Sequence, residues 1–185
     1  MIALIVVSAA VVLIVLWVIV TYNSFVGGRN KVDESWSGVD VQLKRRHDLV
    51  PNLVETVRGY ATHEEKVLTE VTRARAEAMS ATTQPERIAG EAHLTQALGG
   101  LRVVAEQYPQ LRAAEPFLEL QRELSDLEED ISASRRIYND NVETFNTRLQ
   151  VFPNSIVAGA FNFDAREFFR VDTPAEREAP TVSFG

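Results

Sequence analysis

A chain of 185 residues has room for one domain of ordinary size and a membrane anchor, and not for two independent cores. With 26 acidic against 19 basic residues and a formal net charge of -7, it lacks the surplus of Lys and Arg that phosphate contacts require, so no nucleic-acid partner is expected. Cysteine is absent, which excludes disulfide frameworks, thiolate zinc sites and cysteine nucleophiles.

From Ile2 to Val20 the chain is almost entirely aliphatic, uncharged, and interrupted only by Ser8. A hydrocarbon core of ~30 Å needs ~20 helical residues, which this run supplies. A secretory signal would want a basic start, a shorter apolar run and small residues after it; here Ser8, Ala9 and Ala10 lie inside the run. Residues 1–22 are therefore expected to be a transmembrane anchor, with Tyr22 as an interfacial aromatic. Arg29 and Lys31 follow the span, so the positive-inside rule places the N-terminus outside and the rest in the cytoplasm, at the inner membrane.

Residues 23–30 read as a polar connector ending in Gly27 and Gly28, which act as a hinge or as a weak point in a continuous helix. The helical bundle is expected over residues 31–153. Val32, Trp36, Val39 and Leu43 form one apolar stripe. Asp48 is placed to cap a new helix with Pro51 in its first turn, running to about Ser80 with Val50, Leu53, Val54, Val57 and Tyr60 among its apolar positions. Residues 81–85 read as a loop. A third helix buries Ile88, Ala92, Leu98, Leu101, Ala105 and Tyr108, and Pro109 ends or kinks it. The last long helix begins near Glu115 or Pro116. Its seam, Phe117, Leu120, Leu124, Leu127, Ile131, Ser134, Tyr138, Asn141 and Phe145, alternates by threes and fours as in a coiled coil, until Pro153 stops it. Residues 154–185 hold a short apolar segment and then an extended tail with Pro174 and Pro180. The fold class is all-α: an N-terminal transmembrane helix, then an antiparallel bundle of three to four long helices.

Catalytic patterns are missing from this sequence. His63-Glu64 matches the first two residues of a zinc-protease helix, but position 67, where the second histidine belongs, is Val. The residues three before the histidines are Lys44, Tyr60 and Gly90, so the di-iron bundle pattern of Glu three before His fails as well. Neither a nucleophile elbow nor a glycine-rich phosphate loop occurs. No catalytic residue, metal ligand or cofactor site is assigned, and the chain is not expected to be an enzyme. The basic run Lys44-Arg45-Arg46 could grip anionic headgroups. A straight helix carries Arg46 ~39 Å beyond Val20, however. Pairing with Asp40, Asp48 and carboxylates on neighbouring helices is favoured instead. Asn141 sits on the seam, where one polar residue can fix register or oligomeric state.

The ordered run Val39-Asp40-Val41-Gln42-Leu43-Lys44-Arg45-Arg46, continued by Asp48-Leu49-Val50-Pro51-Asn52-Leu53-Val54 and Gly59-Tyr60-Ala61, resembles the LemA family. So do Tyr22-Asn23, Arg29-Asn30 and Trp36-Ser37 before it, and Tyr108-Pro109, Tyr138-Asn139, Phe145-Asn146 and Phe152-Pro153 after it. Near the end Phe161, Phe168-Phe169, Pro180, Val182 and Phe184 fit the family's tail, with Ala160 standing where Gly is expected. The resemblance implies a single-pass anchor, a cytoplasmic helical domain and no established enzyme activity. It also implies a role in membrane protein quality control or membrane organisation, with a membrane-embedded protease or another membrane protein as partner.

Two functions follow as expectations. One is a membrane-anchored scaffold that self-associates as a homo-oligomer and organises membrane partners. The other is a monomeric adaptor or regulator of a membrane protease or other membrane enzyme. Trp36, Asp40, Lys44, Arg45, Arg46 and Asn141 are the candidate interaction surface.

Overall fold

The computed structural model describes residues 1–170, and every element among them is helical: α1 (Ile2–Tyr60), α2 (Glu65–Ser80), α3 (Gln84–Gln107), the short α4 (Pro109–Arg112), α5 (Glu115–Gln150) and α6 (Asn154–Ala160). The expected extended tail, with Pro174, Pro180, Val182 and Phe184, lies outside the described residues. Two compact units are formed, one from Met1–Gln42 with Glu129–Phe168 and one built on Leu43–Glu128. Helices α1 and α5 contribute to both.

In the first unit α1 and α5 run antiparallel. Phe145 packs on Phe25 with ring centroids 6.4 Å apart, Tyr138 meets Trp36 at 5.3 Å, and Arg148 reaches the hydroxyl of Ser24 at 3.0 Å. Residues 23–30 are not a separate connector: α1 passes through Gly27 and Gly28 without interruption. A Cβ on Gly28 would lie 3.1 Å from Cδ2 of Phe145, so this glycine makes room for an aromatic ring rather than for a hinge. After α6 the chain turns at Asn162, whose φ of 55° suits asparagine, and returns in extended form along α5. Asn146 holds that return by donating to the carbonyl of Arg166 and accepting from its amide, both at 2.8 Å, and Tyr138 donates to the carbonyl of Glu167 at 2.7 Å.

In the second unit, α1 from Leu43, then α2, α3 and the first part of α5 enclose a core that includes Val50, Val57, Val71, Leu94, Leu101, Leu111 and Phe117. Neighbours in sequence alternate in direction, as short connections require. The expected helix start at Asp48 is overturned, because α1 continues to Tyr60 with Pro51 inside it. Proline lacks the N–H that would bond the carbonyl four residues back, that of His47. Arg75 of α2 supplies the missing donor, its Nε reaching the His47 carbonyl at 2.6 Å. An Arg75→Met variant leaves that acceptor without its charged donor, and an urea midpoint lower by the equivalent of about 1–2 kcal/mol is expected for the full chain in mild detergent.

The expected continuation of this helix to Ser80 is also overturned: a turn at 61–64 separates α1 from α2. Thr62 to Lys66 are all polar, so no side chain is available to carry the apolar stripe across, and the chain reverses. The following turn is shorter than expected. Thr83 caps α3, accepting from the Glu86 amide, while the Glu86 carboxylate accepts from the amides of Thr82 and Thr83 at 3.0 Å. The buried face of α3 is as expected at Leu98, Leu101 and Ala105 and differs in its first half. Gly90, Glu91, Leu94, Ala97, Leu98 and Leu101 point inward, whereas Ile88 and Ala92 are half-buried. Gly90 sets the closest approach of the α2–α3 hairpin, since a Cβ there would sit 2.8 Å from Cα of Ala78.

Candidate functional site

The densest cluster of chemistry-bearing side chains lies inside the second unit. Arg46 occupies the inward stripe of α1 between Leu43 and Val50 and has a relative exposure of only 2%. Its Nη2 pairs with Glu91 of α3. Its Nη1 bonds Glu128 of α5 at 2.7 Å and Thr95 of α3 at 3.1 Å. The other carboxylate oxygen of Glu91 meets His47 Nε2 at 2.7 Å. One buried carboxylate thus bridges two consecutive α1 side chains, and three helices are tied at one level.

Burial opposes charge on both partners, but the pairing prevails. For Glu91 the cost of desolvation is outweighed by the hydrogen bond from His47 and the field of Arg46, so its pKa is lowered. For Arg46 desolvation is likewise outweighed by Glu91 and Glu128, and its pKa is raised. The cluster is a charge-assisted lock between helices. Its two outer members, Thr95 and Glu128, also line a cleft of the second unit, while Arg46 and Glu91 are enclosed.

A second polar cluster ties α2 to α3 at the surface. His93 Nδ1 faces Glu77 at 2.9 Å and Nε2 faces Glu70 at 2.8 Å. The imidazolium donates to both carboxylates, first to Glu77 and then to Glu70, and its pKa is raised accordingly. A group with a raised folded pKa adds stability that is fully present below the unfolded value of ~6.5 and disappears as pH rises through the folded value. An NMR titration of His93 should therefore give a pKa above that of an unfolded histidine. A His93→Gln variant should lose the part of the stability–pH profile that falls across that window.

The sequence-derived candidates divide between the units. Trp36, Asp40 and Asn141 belong to the first: Trp36 is half-buried with its ring against Tyr138, Asp40 is exposed, and Asn141 is half-buried on α5. Lys44, Arg45 and Arg46 belong to the second, and there Lys44 and Arg45 are exposed while Arg46 is enclosed and paired. The expected pairing with carboxylates on neighbouring helices is found for Arg46, whose partners are Glu91 and Glu128, but these two, His47, Thr95 and Arg75 are not among the sequence-derived candidates. A signal for Arg46 and Glu91 was present, because each falls on an apolar stripe, Arg46 three after Leu43 and Glu91 three before Leu94.

Among the described residues no group of three His, Asp or Glu is arranged to hold a metal ion. A cleft of about 530 Å³ in the second unit has Leu53, Leu98, Leu101, Phe117 and Leu124 in its walls, and its charged lining residues are Arg102, Arg122 and Glu128. It contains no paired acid and base. In the first unit, α1 contains a segment long and apolar enough to cross a membrane, and that segment is not packed inside the protein.

The LemA family model matches residues 35–184. The chain is 26% identical over 159 residues to Protein LemA of Metamycoplasma hominis, covering 81% of this chain and 72% of that protein. It is 26% identical over 203 residues to Magnetosome protein MamQ 2 of Paramagnetospirillum magneticum, covering 93% and 75%. It is also 26% identical over 183 residues to Magnetosome protein MamQ of Magnetospirillum gryphiswaldense, covering 83% and 67%. The all-α fold, the exposed apolar run of α1 and a family match over most of the chain agree, and this membrane-anchored helical protein belongs to the LemA family.

Proposed function

We propose that the chain is a single-span, inner-membrane scaffold that presents its helices to the cytoplasm, organises membrane partners and assembles as a homo-oligomer. The observation that carries this is the continuity of α1. The bare apolar run and the part of α1 that packs in the first unit are one unbroken helix, so the first unit is tied directly to the span. The strongest polar clusters are used to bind helices to one another, which suits a structural rather than a catalytic role. Crosslinking of the full chain in native membranes should recover it joined to copies of itself together with membrane proteins. Recovery of uncrosslinked chain alone would contradict the proposal.

A specific observation favours the second function. Phe117, Leu127, Ile131, Tyr138 and Phe145, the seam that suggested self-association, are buried within a single chain. They are not on offer to a second copy, so contacts between copies must use other faces. A monomeric adaptor or regulator of a membrane protease or other membrane enzyme accommodates this directly, and a fixed one-to-one crosslinked heteromer would favour it.

A further inference from the structure

Four large apolar side chains at the α5–α6 end of the first unit face outward: Phe152 at 77% exposure, Ile156 at 59%, Val151 at 50% and Phe161 at 49%. Their place along α1 is fixed by the antiparallel register. Phe145 meets Phe25 and Gly28, and Arg148 meets Ser24. This register sets Gln150, the last residue of α5, close to where the apolar run of α1 ends, and the turn that carries Val151 and Phe152 follows directly. The ring contacts agree, for Phe161 and Phe163 pack edge-on against Tyr22 at 4.9 and 5.6 Å. Shielding along α1 reaches farther still. Thr21 is buried and Trp17 and Val18, within the apolar run, are half-buried, whereas residues 2–16 are exposed.

We propose that the α5–α6 turn and α6 form a second membrane contact, in which Val151, Phe152, Ile156 and Phe161 enter the headgroup–acyl boundary of the bilayer that α1 crosses. Apolar side chains at that depth lose water contact on entering lipid, and a short helix lying in the interface buries its apolar face by ~5–10 Å. Basic groups stand at the same level: Arg148 beside Ser24, and Arg29, whose guanidinium lies 5.9 Å from the centre of the Phe163 ring. Their long side chains can hold phosphate headgroups while their stems remain on apolar surface. A second copy of the chain or another protein could also cover this patch, but its continuity with the exposed span favours lipid. The contact would fix the rotation and tilt of α1, because a helix anchored on two sides cannot turn freely about its axis.

The contact rests on α1 being the anchor, and one experiment separates the two. The chain has no cysteine, so single labels can be placed at will. Full-length Leu13→Cys, Ile156→Cys and Ser37→Cys variants carry an environment-sensitive fluorophore in phosphatidylcholine–phosphatidylglycerol vesicles, with and without a lipid bearing a nitroxide near its headgroup. Ser37 is exposed on α1, ~25 Å beyond Val20 along the helix. The expected result is quenching at Leu13 and, by about twofold or more over Ser37, at Ile156, with little iodide quenching at either, as for groups ~5 Å or more inside the boundary. Quenching at Leu13 with Ile156 no different from Ser37 leaves the anchor intact and overturns the second contact. An Ile156 label shielded from both lipid nitroxide and iodide shows protein over the patch and overturns it as well. Loss of quenching at Leu13 removes the anchor, and the second contact with it.

Discussion

Replacing Glu91 by alanine is expected to destabilise the second unit by about 3–5 kcal/mol, the range found when one partner of a buried ion pair is removed and the other charge stays behind. The side chains of Arg46 and Glu91 are 2% and 3% exposed, so water cannot take over from the missing carboxylate. Glu128 would keep one contact to Arg46, but its own side chain is 40% exposed and it does not reach His47 in place of Glu91. Denaturant unfolding of the full chain in mild detergent, read with hydrogen exchange at α1 and α3 amides, measures the effect. A combined Arg46→Met, Glu91→Leu variant should recover most of the loss, because apolar side chains of similar volume need no counter-charge. If Glu91→Ala costs less than about 1 kcal/mol, the cluster is not a lock between helices. The pH dependence has a definite sign. The folded pKa of Glu91 is lowered, so its contribution is present above the unfolded carboxyl value of ~4.3 and is lost as pH falls through the folded value. Glu91→Gln should flatten the acid limb of the stability profile.

Two glycines of α3 should respond to the same substitution with opposite signs. Alanine is favoured over glycine in a helix by about 1 kcal/mol, so an alanine at Gly99, where a Cβ meets nothing within 4 Å, should stabilise the chain by about 0.5–1 kcal/mol. At Gly90 the new Cβ would press on the backbone of Ala78, with Cα 2.8 Å and N 3.2 Å away, and backbone cannot move aside as a flexible side chain can. The helices must separate, and overpacking of this kind costs about 1–3 kcal/mol, which exceeds the propensity gain. Thermal melts of Gly90→Ala and Gly99→Ala, run side by side, should move in opposite directions. Equal shifts of the same sign would show that α2 and α3 do not approach so closely.

What the sequence made legible follows from periodicity. The apolar run of α1 and the α5 seam are long and regular, and both appear in the structure, since a sustained pattern leaves a helix few other ways to bury its side chains. Asp48 and Pro51 misled because a helix start and a helix interior that tolerates proline look alike locally. The deciding group, Arg75, lies 28 residues after His47, whose carbonyl it bonds. The break at 61–64 was legible in hindsight as a run of polar residues, but the apolar positions on either side suggested continuity. In sequence Arg46 belongs to a basic run with Lys44 and Arg45. Successive residues of a helix point about 100° apart, however, so neighbours in sequence do not share an environment. One of the three faces the core and needs Glu91 and Glu128, while the other two face water. Only pairing the stripes of different helices identifies such a set, and that pairing is set by tertiary structure.

The anchored scaffold is tested most directly by the mass of the full-length protein purified in mild detergent, by light scattering or native mass spectrometry. A discrete homo-oligomer is the predicted result. It would leave the exposed faces of α1 and α5, rather than the buried seam, as the place to look for the interface. A monomer that carries no other membrane protein with it would contradict the account.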